Sequence, residues 1–281
     1  MSFPGAVASR ERAGYVVVGA PLDATTTFVP GTRFGPERVR RFARTFDDYD
    51  RRTDADFSAL GVHDAGDVAA WDDVREYLTH LTAELRAVRL DDAVPVTLGG
   101  EHTVSWAGVR ATDPDVFVAL DAHLDLRNDC DGNPVSHACV TRRILDGSHE
   151  RSETAETPTA DRAVILGART GSRAEWERAD APDVTRVPPE SVADWEPSFD
   201  PETDVYLSID IDGADPSVAP GTGTAEPFGL APREMRSVVR SVAGHCVGCD
   251  VVEVNDRDDG QAPALAGKLA REFVYTHADQ S

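Results

Sequence analysis

The sequence predicts an α/β fold: a single three-layer α/β/α domain over residues 1–281, built round a mainly parallel sheet. Three observations carry this. Short runs of Val, Ile and Leu alternate with amphipathic helical patterns along the whole chain, the order that puts helices on both faces of a parallel sheet. The runs are nearly continuous in hydrophobicity, as strands buried on both faces are. No Pro/Gly/Ser-rich linker and no internal repeat divides the 281 residues, and 41% hydrophobic content suffices for one sizeable core.

In chain order, the strand candidates are 15–19, 94–98, 116–120, 163–167, 205–211 and 251–254. Within 71–90, Val74, Leu78, Leu81, Leu85 and Val88 recur at spacings of four and three and draw one apolar stripe along a helix. Ser172 and Glu175 form an S-x-x-E capping box that opens the helix carrying Trp176. Pro232 marks another helix start, followed by Met235, Val238, Val239 and Val242. A C-terminal helix uses Leu265, Leu269 and Phe273. The stretch 147–159, with Glu150, Glu153 and Glu156 among small polar residues, reads as a solvated loop.

Charge excludes whole classes of function. Fifty acidic residues against 28 basic ones give a net charge of −22, which argues against nucleic acid or an anionic membrane as partner. Lys268 is the sole lysine, and an acidic, lysine-poor surface suits concentrated salt, where the Debye length falls to about 3 Å at 1 M and self-repulsion is screened. Residues 1–14 hold no apolar signal region, no run spans a membrane, and four cysteines make no disulfide framework. These features point to a soluble cytoplasmic protein.

Ligands of open α/β sheets bind beyond the carboxyl ends of the strands, and four of those ends carry chemistry. Leu98 is followed by Gly99-Gly100-Glu101-His102-Thr103, and Leu120 by Asp121-Ala122-His123-Leu124-Asp125. Asp210 and Asp212 follow Val205–Leu207 in the chain, and Val252 leads into Glu253. In extended backbone, Asp121, His123 and Asp125 point to one face, as do Asp210 and Asp212. Burying such carboxylates demands cations. His102, Asp121, His123, Asp125, Asp210 and Asp212 supply four negative charges and two imidazoles, a set that two divalent ions neutralise. The oxygen-rich donors favour Mn²⁺ over Zn²⁺, and two such ions generate a hydroxide nucleophile near neutral pH.

These motifs resemble the ureohydrolases, the arginase and agmatinase superfamily, and are most similar to the agmatinase branch. The likeness runs from Gly19-Ala20-Pro21-Leu22-Asp23 and Pro30–Pro36, through the strand-end motifs, Ser136-His137-Ala138 and Gly167-Ala168-Arg169, to the 210–230 block and Val252-Glu253-Val254. It implies an arginase-like fold and two Mn²⁺ ions with a bridging hydroxide. His102, Asp121, Asp125 and Asp210 would hold the first ion, and Asp121, His123, Asp210 and Asp212 the second. The catalytic set implied is Asp125, Glu253, which pairs with the guanidinium, and His137, which moves protons to the leaving amine. The reaction implied is hydrolysis of a small cationic guanidino compound to urea and an amine, with agmatine to putrescine in the lead. Arg127 stands where arginases carry an Asn that reads the amino-acid head. A guanidino acid, guanidine and formiminoglutamate are the alternative substrates. A catalytically silent metal-binding paralogue and a two-metal phosphoesterase are rivals of other kinds. Relatives are commonly trimers or hexamers, so a homo-oligomer is expected, and the acidic composition adds a halophilic archaeal source.

Gly213, Ala214, Ala225, Phe228 and Asp256 depart from the family pattern, and their places in the sequence put them beside the substrate entrance. Cys246-Val247-Gly248-Cys249 is a lone C-x-x-C without the second pair a structural zinc needs, and reads as small buried residues entering a strand. The loop 220–224 lacks the Lys of a phosphate-binding loop. His63, His80, His149 and His277 read as surface or helix residues, and Arg33 and Arg169 as loop or sheet-edge anchors.

Overall fold

A computed structural model of the chain describes residues 1–69, 73–147, 159–255 and 257–280. Eight strands form one sheet: β1 (Tyr15–Ala20), β4 (Val62–Asp67), β5 (Val94–Gly99), β6 (Val116–Leu120), β7 (Arg162–Leu166), β8 (Val184–Val187), β9 (Val205–Asp210) and β10 (Cys246–Val252). The order is β4-β1-β5-β10-β9-β6-β7-β8, and every pairing is parallel. A separate antiparallel pair joins β2 (Tyr49–Asp50) to β3 (Ala55–Asp56).

Side chains alternate across the sheet into two apolar layers. Val17, Val118, Leu120 and Leu207 pack with α1 (Gly35–Ala43), α7 (Pro232–Val242) and α8 (Gln261–Gln280) on one face. Val16, Phe117, Ala119 and Tyr206 pack with α2 (Val74–Leu90), α3 (Val104–Thr112) and α4 (Val140–Asp146) on the other. The remaining helices are α5 (Arg173–Ala179) and α6 (Pro189–Val192). No helix among the described residues is long and apolar enough to cross a membrane.

Helix starts follow their local chemistry. The Ser172–Glu175 box is present in both directions, at 3.3 and 2.8 Å. Pro232 opens α7, and Glu234 accepts from the Ala231 amide at 2.7 Å. Helix α2 is shorter than expected. Asp73 caps it by accepting from the Glu76 amide, so the helix starts at Val74; residues 71 and 72 lie outside the described set. The loop expected at 147–159, with its three glutamates and His149, lies almost wholly outside it too.

Two strands of the main sheet escape the sequence reading, as do the two-residue strands β2 and β3. β4 and β8 close the two edges of the sheet, and their sequences, VHDAGD and TRV after Val184, are too polar to form an apolar run. His63 accordingly belongs to an edge strand rather than to a helix or open surface, and its Nδ1 bonds the Ala8 carbonyl at 2.9 Å. The last strand starts at Cys246, not Val251. Gly248 concealed it, because glycine is depleted in strands; here its missing Cβ admits the Tyr206 ring, 2.9 Å from where that atom would sit. Cys246 and Cys249 are buried free thiols within this strand. Burial pushes both thiols up, away from the reactive thiolate.

Candidate metal centre

Strands β5, β10, β9 and β6 are consecutive in the sheet, and Leu98, Val251, Ile209 and Leu120 lie in one row across them. The residues just past that row therefore converge. Gly100 lets the β5 end lie against 20–22, since a Cβ there would sit 2.5 Å from the Ala20 and Leu22 carbonyl oxygens. His102 follows directly.

All six residues expected to hold metal meet in one buried pit. His102 Nδ1 lies 2.9 Å from Asp125 Oδ2, 3.2 Å from Asp121 Oδ2 and 3.4 Å from Asp210 Oδ2. His123 Nδ1 lies 3.0 Å from Asp212 Oδ2 and 3.6 Å from Asp121 Oδ1. Two groups with metal-ligand spacing result, His102–Asp121–Asp125 and Asp121–His123–Asp212, sharing Asp121.

The route to this geometry differs from the extended backbone expected. β6 ends at Leu120, before all three residues, and Asp125 takes a left-handed φ of 51°. β9 ends at Asp210, and Asp212 lies in a 3₁₀ turn over Ile211–Gly213. Short side-chain-to-backbone bonds hold the turns: Asp121 accepts from the His123 amide at 2.7 Å, and Asp210 from the Asp212 amide at 2.8 Å. Glu253 also lies beyond its strand with φ 59°. Non-glycine residues in this conformation cost energy, and strain of this kind gathers at functional sites.

The electrostatics leave the pit short of positive charge. Burial and the neighbouring Asp121 charge push Asp125 up to about 6. Burial, Asp212, Asp121 and Glu253 raise Asp210. Burial opposes charge on the imidazoles as well, yet Asp212 and Asp121 push His123 up to about 12, and Asp121 and Asp125 raise His102. Asp121, against burial, is held low by both imidazoles. Like charges are thus crowded together, and each upward shift favours positive charge among them. His102 Nδ1 is buried and makes no hydrogen bond of acceptable geometry. A bare imidazole nitrogen among carboxylate oxygens at about 3 Å fits a divalent cation, whose neighbouring ligand atoms lie about that far apart when bound at about 2.1 Å.

His137 and Glu253 flank the pit. Glu253 Oε1 accepts from the His102 amide at 2.8 Å and lies 3.3 Å from His137 Nδ1, while its buried Oε2 has no hydrogen-bond partner. Burial disfavours charge on His137, but Glu253 outweighs it and pushes the imidazole up to about 9. The Thr27 amide pulls the other way, donating to Nε2 at 3.1 Å. That bond favours the neutral tautomer with the proton on Nδ1, whereas Glu253 favours the doubly protonated ring.

Several neighbours went unnoticed in the sequence. Glu101 is fully buried and accepts from the Thr25 amide at 2.8 Å and Thr103 Oγ1 at 2.9 Å, which ties the loop bearing Thr27 to His137. Its place in the Gly99–Thr103 motif was the available signal. Arg169 is a loop anchor as expected: it donates to the carbonyls of Gly167, Asp212, Gly213, Ala214, Glu226 and Pro227. Arg33 is mostly exposed, 3.5 Å from Asp23. Gly213 and Ala214 are not at the entrance. They are buried beneath the pit, where a Cβ on Gly213 would sit 3.0 Å from the Asp121 amide nitrogen. Phe228 is exposed, with φ 67°, and Asp256 lies outside the described residues.

The pit opens into a cavity of about 520 Å³ whose floor includes His123, Asp125, His137, Asp210 and Asp212. Asp131, Glu175 and Glu226 line its wall, against one arginine among the described residues, Arg127, which lies 3.3 Å from Glu175.

Residues 13–275 match the model of the arginase family. The chain belongs to that family. Within it, the chain is 34% identical to the N(1)-aminopropylagmatine ureohydrolase of Thermococcus kodakarensis over 96% of this chain and 92% of the relative. It is 33% identical to an agmatinase of Pyrococcus horikoshii, over 92% and 89%. The crystal structure of the agmatine ureohydrolase of Thermoplasma volcanium superposes with a TM-score of 0.89 at 33% identity, covering 99% of this chain and 94% of that one. The arginase-family fold thus extends over essentially the whole chain.

Proposed function

We propose that this arginase-family protein hydrolyses a small cationic guanidino compound, foremost agmatine, to urea and the corresponding amine. The observation that carries this reading is the pair of His/Asp groups sharing Asp121 at the floor of an acidic cavity. The names of its relatives support the choice of substrate. His102, Asp121, Asp125 and Asp210 would hold one Mn²⁺, and Asp121, His123, Asp210 and Asp212 the other. When bound, the two ions would supply a hydroxide nucleophile near neutral pH and would neutralise the pit. Glu253 Oε2, buried and unpartnered, is free to pair with the guanidinium. His137 stores a proton on Nδ1 beside Glu253 and delivers it to the departing amine. The wall carboxylates draw in the cationic tail.

A urea-release assay with Mn²⁺ over agmatine, N(1)-aminopropylagmatine, guanidine, a guanidino acid and formiminoglutamate tests this. Agmatine or its aminopropyl derivative leads if the reading holds; no urea from any substrate contradicts it. The guanidino acid is favoured by one observation, the half-exposed Arg127 on the wall, and Arg127→Met would then abolish its turnover selectively. The same reading covers a cytoplasmic homo-oligomer, trimer or hexamer, serving polyamine synthesis. It also covers adaptation to salt: folding stability rises between 0.1 and about 1 M salt as screening shortens. Full activity after dialysis to low salt would contradict that part.

A further inference from the structure

A buried chain of hydrogen bonds lies behind His102, on the side of the ring away from the pit. His102 Nε2 is 3.1 Å from Ser208 Oγ. Ser208 Oγ donates to Asp250 Oδ1 at 2.7 Å, and the Tyr206 hydroxyl donates to Asp250 Oδ2 at 2.8 Å. Ser105 Oγ lies 3.2 Å from Ser208 Oγ. All five side chains are buried to within 1%. The sheet builds the arrangement, since Ser208 and Asp250 are register partners on β9 and β10. Two glycines make room for it: a Cβ on Gly108 would sit 1.9 Å from the Tyr206 hydroxyl oxygen, and one on Gly248 would sit 2.9 Å from the ring.

Counting protons gives the chain a direction. A carboxylate only accepts, so the single hydrogen of Ser208 is committed to Asp250. Toward His102, Ser208 offers a lone pair, and His102 must therefore carry its proton on Nε2. In the neutral ring that a metal requires, Nδ1 is then the bare nitrogen, facing Asp121, Asp125 and Asp210. A neutral imidazole that ligates a metal through Nδ1 needs this tautomer, and residues that fix a ligand's tautomer govern affinity as ligands themselves do.

We infer that Asp250 is a positioning residue which, acting through Ser208, holds His102 in the Nε2–H tautomer and so sets the affinity of the first metal position. The inference rests on the metal reading above. Its test is the binding of Mn²⁺ at pH 8, followed by the electron paramagnetic resonance signal of the free hexaaqua ion, in the wild type, Asp250→Asn, Ser208→Ala and the double variant. The wild type binds two ions. Each single substitution weakens one of the two positions by about 10–100-fold and spares the other. The double variant is no weaker than the weaker single, because one relay is broken once. Tyr206→Phe, which removes a donor from Asp250 without reversing the Ser208 proton, lowers Tm but keeps both affinities. If Asp250→Asn does not fold, Ser208→Ala against Tyr206→Phe carries the test. Unchanged affinities in both Asp250→Asn and Ser208→Ala, equal loss at both positions, or additive losses in the double variant would each overturn the inference. A wild type that binds no Mn²⁺ would overturn the metal reading, and this inference with it.

Discussion

Among the described residues, the buried Arg40–Asp64 pair and the metal-ligand pit are both charge clusters turned away from solvent, and they differ in one respect. Beside β4, Arg40 donates through Nε and Nη2 to Asp64, both at 2.8 Å, through Nη1 to Asp67, and through Nη2 to the Gly66 carbonyl at 3.2 Å. That cluster contains its own cation. The pit at the ends of β5, β6 and β9 collects four aspartates and two imidazoles and leaves His102 Nδ1, facing three of those aspartates, without a hydrogen bond. A charge cluster that closes on itself holds a fold together. One that stays open is built for something that arrives later. Their opposite responses to substitution follow from this.

The largest effect is expected in the open cluster. Asp121→Ala removes the carboxylate shared by both groups and should lower urea release by roughly 10³-fold or more, at least the loss of one oxyanion donor. Metal-free Asp121→Ala should lose less stability than Arg40→Met, because losing the Asp121 carboxylate also relieves the neighbouring charges of Asp125 and Asp210. Arg40→Met should do the reverse. It leaves Asp64 and Asp67 unpaired and costs about 3–5 kcal/mol of stability by denaturant titration, with urea release per folded molecule unchanged. Equal destabilisation by the two substitutions would erase the distinction.

Metal removal should act on the pit alone. With Mn²⁺ at 100 times the dissociation constant of each of the two positions, chelation should cost about 5 kcal/mol of stability in the wild type and in Arg40→Met, and at most half as much in Asp121→Ala. The smallest effect concerns His137, raised to about 9 from an ordinary 6.5. A raised imidazole contributes stability that is fully present below pH 6.5 and lost as pH rises through about 9. Metal-free wild type should therefore exceed His137→Asn in Tm by about 6 °C at pH 6, with the gap closing by pH 10. A gap that widens with pH would show the sign to be wrong.

The two clusters also differ in how well a sequence exposes them. Each residue of the pit stands within a few positions after an apolar run, at a strand end where open sheets bind ligands, so composition and spacing single them out. Their geometry was less legible. The alternation argument requires extended backbone, while the structure uses turns and left-handed φ at Asp125 and Glu253, which local sequence does not announce. The Arg40 cluster was invisible, because its partners belong to β4, an edge strand too polar to form an apolar run. Ser208 and Asp250 were hidden for another reason. Each sits inside a strand, and only the pairing of β9 with β10 makes them neighbours. Chemistry at strand ends shows in one dimension; chemistry made by register needs the fold.

The central claim, that the open cluster is a two-metal site, is tested most directly by elemental analysis of protein loaded with Mn²⁺ and dialysed free of excess ion. The account predicts two Mn per chain in the wild type and in Arg40→Met, and at most one in Asp121→Ala. A wild type that retains none, or an Asp121→Ala that retains two, would contradict it.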